Sequence, residues 1–193
     1  MSQLQRRSAC LGAAAILLAA CTSERPAPAA KPRSLPEARR IALDLFEELD
    51  GFELVKQREV GLAGQPAVRM EARWKHEGQP RRGIIYVVEQ ARLFNVIHYT
   101  APADEDLFED GYEVFSRMLK ELKAQSLDGA LKVERAGEVN VLRSPELQLE
   151  IRYPGDWVYS LDEVNRALVF SGPREEPTWL TTVSFSIIEK LAG

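Results

Sequence analysis

The chain contains little cysteine and little histidine, with two of each among its 193 residues. So few cysteines exclude a disulfide-rich scaffold, and His76 and His98 do not have the spacing of a zinc site. Positive charge is not in excess either, because 25 Lys and Arg stand against 29 Asp and Glu, for a formal net charge of −4. We therefore expect no metal, no other cofactor, and no binding to nucleic acid, which would require a basic surface.

Sequence motifs of nucleophilic catalysis and of nucleotide binding are also missing. There is no Gly-x-Ser-x-Gly and no Ser-x-x-Lys, and the segment 61–64 (GLAG) lacks the lysine and the spacing of a phosphate loop. The acidic cluster that follows Asp104 does not fit an EF-hand, because Glu109 occupies the position at which the sharp turn needs glycine. We predict that the protein is not an enzyme. One alternative stays open, a hydrolase whose carboxylates or His98 meet only in the fold.

The start of the chain has the composition of an export signal. Arg6 and Arg7 precede a run of twelve mostly apolar residues at 9–20 (ACLGAAAILLAA). As a helix this run would span roughly 18 Å, much less than the roughly 30 Å of a bilayer's hydrocarbon core. We therefore predict a cleaved signal at residues 1–20 rather than a permanent membrane span.

The sequence Leu18-Ala19-Ala20-Cys21 resembles the lipobox of bacterial lipoproteins. The resemblance implies that Cys21 becomes the lipidated N-terminus, that acyl chains such as palmitate hold the protein on a membrane, and that the protein lies in the cell envelope. Thr22 after the cysteine favours the periplasmic face of the outer membrane over the inner membrane. An ordinary secretory peptide and a twin-arginine signal are the alternatives. With Cys10 removed and Cys21 lipidated, no thiol remains for catalysis.

Residues 21–35 comprise the lipidated cysteine and a proline-rich tether, and residues 36–193 form the body, predicted as one α+β domain. In the first half, 36–125, apolar periodicity predicts a helix at 36–50 and Asp104 caps a second helix. Between them, alternation predicts an antiparallel meander of strands at 52–60, 68–76, 83–90 and 93–100, with one face of the strand 68–76 buried and the other exposed to water. A hairpin around 136–137 is weakly indicated.

In the C-terminal part, 145–193, alternation predicts strands at 147–153, 167–170 and 181–189. The segment Tyr153-Pro154-x-x-Trp157, with its flanking strands, resembles the opening of a PsbP-like or DcrB-like domain of the Mog-type fold, and residues 36–125 resemble its closing part. The resemblance implies an α/β/α sandwich, an antiparallel sheet flanked by two helices, with its halves in permuted order. We expect the C-terminal strands to join the first sheet, and an incomplete second copy of the domain is the alternative.

Aromatic residues are concentrated near the end of the chain, at Tyr153, Trp157, Tyr159, Phe170 and Trp179. Core packing would explain them, whereas an exposed group would suit a protein partner or an apolar ligand. Tyr153, Trp157, Tyr159 and Trp179 are the predicted binding residues. The function expected is that of a non-enzymatic, lipid-anchored accessory protein that binds or positions another envelope component. A carrier of a small apolar ligand, with a cavity lined by Trp74, is a further alternative.

Overall fold

The computed structural model describes residues 31–162 and 166–191. The predicted signal peptide and Cys21 lie outside these residues. The described part has two α-helices, α1 (Leu35–Glu47) and α2 (Glu105–Lys120), and a 3-10 helix at Pro177–Leu180. Its strands are β1 (Glu53–Leu62), β2 (Gln65–His76), β3 (Gln79–Glu89), β4 (Leu93–Pro102), β5 (Lys123–Ala124), β6 (Lys132–Ala136), β7 (Val139–Ser144), β8 (Leu149–Pro154), β9 (Val158–Asp162), β10 (Ala167–Ser171) and β11 (Thr182–Glu189).

The larger sheet has seven antiparallel strands in the order β1-β2-β3-β4-β11-β10-β9. The first four form the predicted meander. β11 lies beside β4, with Thr182 opposite Thr100 and Glu189 opposite Leu93, so that the last three strands extend the sheet built by the N-terminal half. This is the pairing that the sequence led us to expect for residues 181–189.

A second sheet of four antiparallel strands has the order β5-β8-β7-β6. It includes the hairpin predicted around 136–137, in which Ala136 lies opposite Val139. The strand predicted at 147–153 is β8, and it belongs to this second sheet rather than to the first. The protein is therefore of the α+β class, with two helices and one large antiparallel sheet, and most of its regular structure is strand.

Helix α1 covers one face of the larger sheet. Its buried residues Ala38 and Ala42 pack in one cluster with Val68, Met70 and Trp74 of β2. At the start of α1 the Ser34 side chain makes no capping hydrogen bond, and the Glu37 carboxylate accepts a hydrogen bond from the Arg33 N–H.

Helix α2 lies against the opposite face. Asp104 caps it as predicted, with its Oδ1 accepting a hydrogen bond from the Leu107 N–H at 3.1 Å. Phe108 and Phe115 pack in the main core cluster with Tyr99 of β4, whose hydroxyl donates to the Phe108 carbonyl at 2.6 Å. Successive side chains of a strand point to opposite faces, so β4 contributes to the clusters under both helices.

The face of β2 that points away from α1 is not uniformly exposed to water, contrary to prediction. Arg69 is buried, its Nε donates to the Tyr86 hydroxyl at 3.1 Å, and its guanidinium pairs with Glu71. The hydrogen bond that the Arg69 guanidinium donates to Glu71 lowers the pKa of the Glu71 carboxyl. Arg69 is buried because α2 packs over this face of the sheet. Tyr112 of α2 interacts with the Arg69 side chain.

Candidate functional site

Two of the four predicted binding residues are part of the core. Tyr153 and Trp157 are both buried, and the Tyr153 ring lies 4.9 Å from the ring of Phe170. A turn at Pro154 explains the burial of Trp157. The Trp157 N–H donates to the Pro154 carbonyl at 3.1 Å, and the chain turns back so that the indole joins the main cluster. Their aromatic surface is therefore largely unavailable to a partner.

The other two residues are accessible to different degrees. Tyr159 is 39% exposed and lies on β9, while Trp179 is half-buried in the 3-10 helix, where the Arg174 guanidinium lies 5.3 Å from the centre of its ring. The four residues therefore do not form one exposed cluster. Tyr159 is the member that lies on an open surface.

Strand β9, which the sequence did not predict, is an edge of the larger sheet. It pairs with β10 on one side, and no described strand pairs with its other side. Val158 and Leu161 are 52% and 51% exposed, so apolar side chains project from both faces of the edge around Tyr159. Signals for this strand are weak in the sequence, because a strand exposed on both faces shows no alternation of apolar and polar residues.

The opposite edge of the same sheet, β1, has a different chemistry. Its exposed positions include Lys56, Arg58 and Glu59, and its register with β2 is interrupted between Leu54 and Lys56. Charged side chains and bulges are the means by which proteins prevent an edge strand from pairing with another chain. β1 therefore carries these protective features, whereas Val158, Tyr159 and Leu161 leave the edge at β9 apolar.

His98, the histidine considered for catalysis, is packed inside the protein. Its ring lies 4.8 Å from that of Phe46 and 5.5 Å from that of Trp74, and its Nε2 has no hydrogen-bond partner among residues 31–162 and 166–191. Burial, with the positive charge of Arg81 as a smaller cause, lowers the pKa of His98 to about 3. No ion pair joins His98 to a described carboxylate, whereas the half-exposed His76 has its Nε2 4.0 Å from Glu77.

The space beside Trp74, where a ligand cavity was the alternative, is filled by protein. His98 and Phe46 occupy it, and a Cβ atom at Gly83 would lie only 2.5 Å from the Trp74 ring. A cleft of about 390 Å³ is found elsewhere, between the C-terminal half of α2 and the second sheet. It lies at the lower end of the range of volumes of small-molecule sites.

The cleft has an apolar lining and a charged rim. Its residues are Val114, Arg117 and Met118 from α2 and Glu121 at the C-cap of this helix, with Arg135, Glu138, Val139, Arg152, Tyr153, Pro154, Gly155 and Asp156 from the second sheet and its turns. No local pattern in the sequence marks this set, because its members are scattered over more than forty positions and come together only when α2 packs on the second sheet.

In the part of the chain that is described, no helix has the length and apolar character needed to cross a membrane. The same residues contain no group of three or more His, Cys, Asp or Glu side chains arranged to hold a metal ion. The chain matches no family model, no curated protein and no solved structure.

Proposed function

We propose that the protein is a lipid-anchored, non-enzymatic accessory protein of the cell envelope, and that it binds an extended segment of a partner protein along β9. The observation that carries the proposal is the apolar edge formed by Val158, Tyr159 and Leu161, at the end of a sheet whose other edge is protected by charge. An extended segment that joined β9 would pair its main chain with the edge and place its side chains beside these three.

Several features favour a partner strand as the occupant. The open side of β9 presents main-chain N–H and C=O groups, which another strand can satisfy. A second copy of the chain fits less well, because symmetric antiparallel pairing centred on Ser160 would place Val158 opposite the carboxylate of Asp162. We therefore expect the partner segment to carry apolar side chains opposite Val158, Tyr159 and Leu161.

Anchoring through Cys21 is the second part of the proposal. It is supported by the lipobox-like sequence that ends at Cys21 and by the proline-rich segment that follows it. Acyl chains would hold the body at the membrane without a polybasic surface. We propose the periplasmic face of the outer membrane as the location, with Thr22 after the cysteine as the supporting feature.

The finer description of the fold is also a proposal. Helices on both faces of one antiparallel sheet support the PsbP-like α/β/α arrangement that residues 147–189 led us to expect. The second sheet beside α2 would then be an addition to that arrangement.

Site-specific photo-crosslinking in cells tests the binding edge. A benzophenone amino acid at position 161 should form a crosslink to one protein, with the crosslinked peptide mapping to a single extended segment. The same group at position 55 is the matched control, because Val55 is 48% exposed on the protected edge β1. Crosslinks of equal yield from both positions, crosslinks only to a second copy, or no crosslink from position 161 would overturn the proposal.

Charge placed on the edge provides a second test. The double variant Val158→Lys, Leu161→Lys should abolish co-purification of the crosslinked partner, because lysines oppose strand addition. Val55→Lys should leave it intact. Both variants should keep the wild-type circular dichroism spectrum, since the three side chains are about half exposed. A folded double variant that still retains the partner would contradict the proposal.

The anchor is tested separately. Cys21→Ser should lose labelling by radioactive palmitate and leave the membrane fraction, whereas Cys10→Ser should retain both. Membrane retention of Cys21→Ser without labelling would show that something other than acyl chains holds the protein.

A further inference from the structure

The cleft between α2 and the second sheet combines an apolar lining with three arginines. Met118 and Tyr153 are buried at its inner side, and Val114 and Val139 are half-buried. Such a lining, with a few polar groups that converge on it, is typical of a site for a small molecule.

Arg152 contributes one of the guanidinium groups that line the cleft. Its Nε is buried and has no hydrogen-bond partner among the described residues. The closest carboxylate oxygens are those of Glu150, 3.8 Å from this Nε, and of Glu121, 4.0 Å from Nη1, and both distances are too long for hydrogen bonds. The Arg152 side chain is 39% exposed, so its guanidinium keeps donors that an acceptor entering the cleft can take.

Arg135 and Arg117 add donors at the rim. Arg135 donates from Nε to the Gly137 carbonyl at 3.3 Å, and no described carboxylate forms an ion pair with it. The partner of Arg117 is Glu113 at 3.6 Å, and both of these side chains are mostly exposed. By contrast, Arg143 on the same sheet is held by two carboxylates at 2.8 and 2.9 Å. The cleft arginines are therefore free to turn toward a ligand.

The carboxylates of Glu121, Glu138 and Asp156 also line the cleft and limit the charge that it can accept. They offset the three arginines, so the cleft has no excess positive charge to hold a second negative charge, whereas a single carboxylate can take hydrogen bonds from a guanidinium fork. We propose that this cleft binds a small carboxylate with an apolar body, the carboxylate toward Arg152 and Arg135 and the apolar part against Val114, Met118 and Tyr153. The proposal does not depend on strand addition at β9.

Isothermal titration of the full chain in lipid nanodiscs tests the site, with 4-phenylbutanoate as the probe and titration into empty nanodiscs subtracted. We expect saturable binding of one molecule per chain. The uncharged 4-phenylbutan-1-ol and the cationic 4-phenylbutylamine should bind at least about tenfold more weakly, because neither brings a charged acceptor to Arg152. Equal binding of the acid and the alcohol would overturn the proposal, as would tighter binding of the doubly charged 4-phenylbutyl phosphate.

Substitutions locate the probe. Arg152→Gln should weaken the binding of 4-phenylbutanoate at least about tenfold, and Arg135→Gln about threefold. The difference is expected because Arg152 is half-buried, whereas Arg135 is exposed and its bonds to a ligand compete with water. Arg58→Gln removes the same charge from the exposed surface of β1 and should leave the affinity unchanged. If Arg152→Gln fails to fold, Arg135→Gln decides alone, because its side chain is exposed. The proposal would be overturned if folded Arg135→Gln and Arg152→Gln bound the probe with unchanged affinity. It would also be overturned by an absence of saturable binding, or by an equal loss of affinity in Arg58→Gln.

Discussion

Trp74 and His98 lie side by side beneath α1, with their ring centres 5.5 Å apart, and Gly83 of the strand between them has no side chain because there is no room for one. A Cβ atom at Gly83 would lie 2.5 Å from Trp74 Cη2 and 2.9 Å from His98 Nε2. The glycine thus permits two large rings to meet over the centre of the sheet.

Gly83→Ala should therefore destabilise the protein by about 1 to 3 kcal/mol, the usual cost of overpacking a core, as measured by urea unfolding. Gly61→Ala is the matched control, because the nearest atom to its added Cβ would be the Gln65 carbonyl oxygen at 4.0 Å. We expect that control to change the free energy of unfolding by less than about 0.5 kcal/mol. Equal effects of the two substitutions would contradict the close packing at Gly83.

The burial of His98 should make stability depend on pH. Its pKa is about 3 in the folded protein, against about 6.5 for a histidine in the unfolded chain, so the unfolded chain takes up a proton first as the pH falls. The free energy of unfolding should then decrease from about pH 6.5 downward, by up to about 1.4 kcal/mol per pH unit. This contribution is fully present above pH 6.5 and is progressively lost toward pH 3.

His98→Leu, which cannot be protonated, should flatten this dependence between pH 6.5 and 5, a range above the titration of most carboxylates. Urea unfolding at several pH values in this range measures both slopes. Identical slopes for the wild type and the variant would show that His98 can be protonated without unfolding.

Glu150 should contribute to stability through its two cationic neighbours. Its side chain is buried, and it accepts hydrogen bonds from Lys123 Nζ at 3.0 Å and from Arg143 Nε at 2.9 Å. The hydrogen bond from Lys123, followed by that from Arg143, lowers the pKa of Glu150, so its stabilising effect is present above about pH 4.5 and is lost as the pH falls further.

Glu150→Gln should therefore cost about 1 to 2 kcal/mol at pH 7, below the range for a fully buried pair because Lys123 and Arg143 still reach water. Glu134→Gln removes the exposed carboxylate that also contacts Arg143, at 2.8 Å, and should cost less than about 1 kcal/mol. Thermal unfolding of the two variants distinguishes the buried carboxylate from the exposed one, and a larger loss in Glu134→Gln would contradict this assignment.

Substitution of Trp157 should cost much more stability than substitution of Tyr159. Trp157→Ala removes a buried indole and should cost about 3 to 5 kcal/mol of stability. Tyr159→Ala removes an exposed ring, so we expect the free energy of unfolding to fall by about 1 kcal/mol or less. Under the proposed function, the same substitution should also weaken binding of the partner segment. Chemical denaturation provides the stability values, and a stable, folded Trp157→Ala would contradict the burial described here.

Much of the first half of the fold could be predicted from the sequence because its signals are local. The apolar periodicity of α1 and the alternation in β2 are set by neighbouring residues, and the structure places these two elements within a few residues of their predicted bounds. The start of α2 is marked by its cap, Asp104. The exposure of Arg69 was predicted wrongly, since it depends on Tyr112 of a helix more than forty residues away.

The candidate sites were harder to predict than the elements. Tyr159 and Trp157 are both aromatic, and nothing in the local sequence distinguishes the exposed ring from the buried one. That difference arises from the turn at Pro154 and from the position of β9 at the end of a sheet assembled from both halves of the chain. The cleft depends in the same way on the packing of α2 against β8.

The unlike ends of the larger sheet limit what assembly through main-chain pairing can produce. A filament grows only when every added molecule offers a fresh receptive end, and here one end, with Lys56, Arg58 and Glu59, resists joining. If a strand pairs with β9 at Val158, the charged edge β1 at the other end of the sheet does not accept a further strand. Association by main-chain pairing therefore stops after one step.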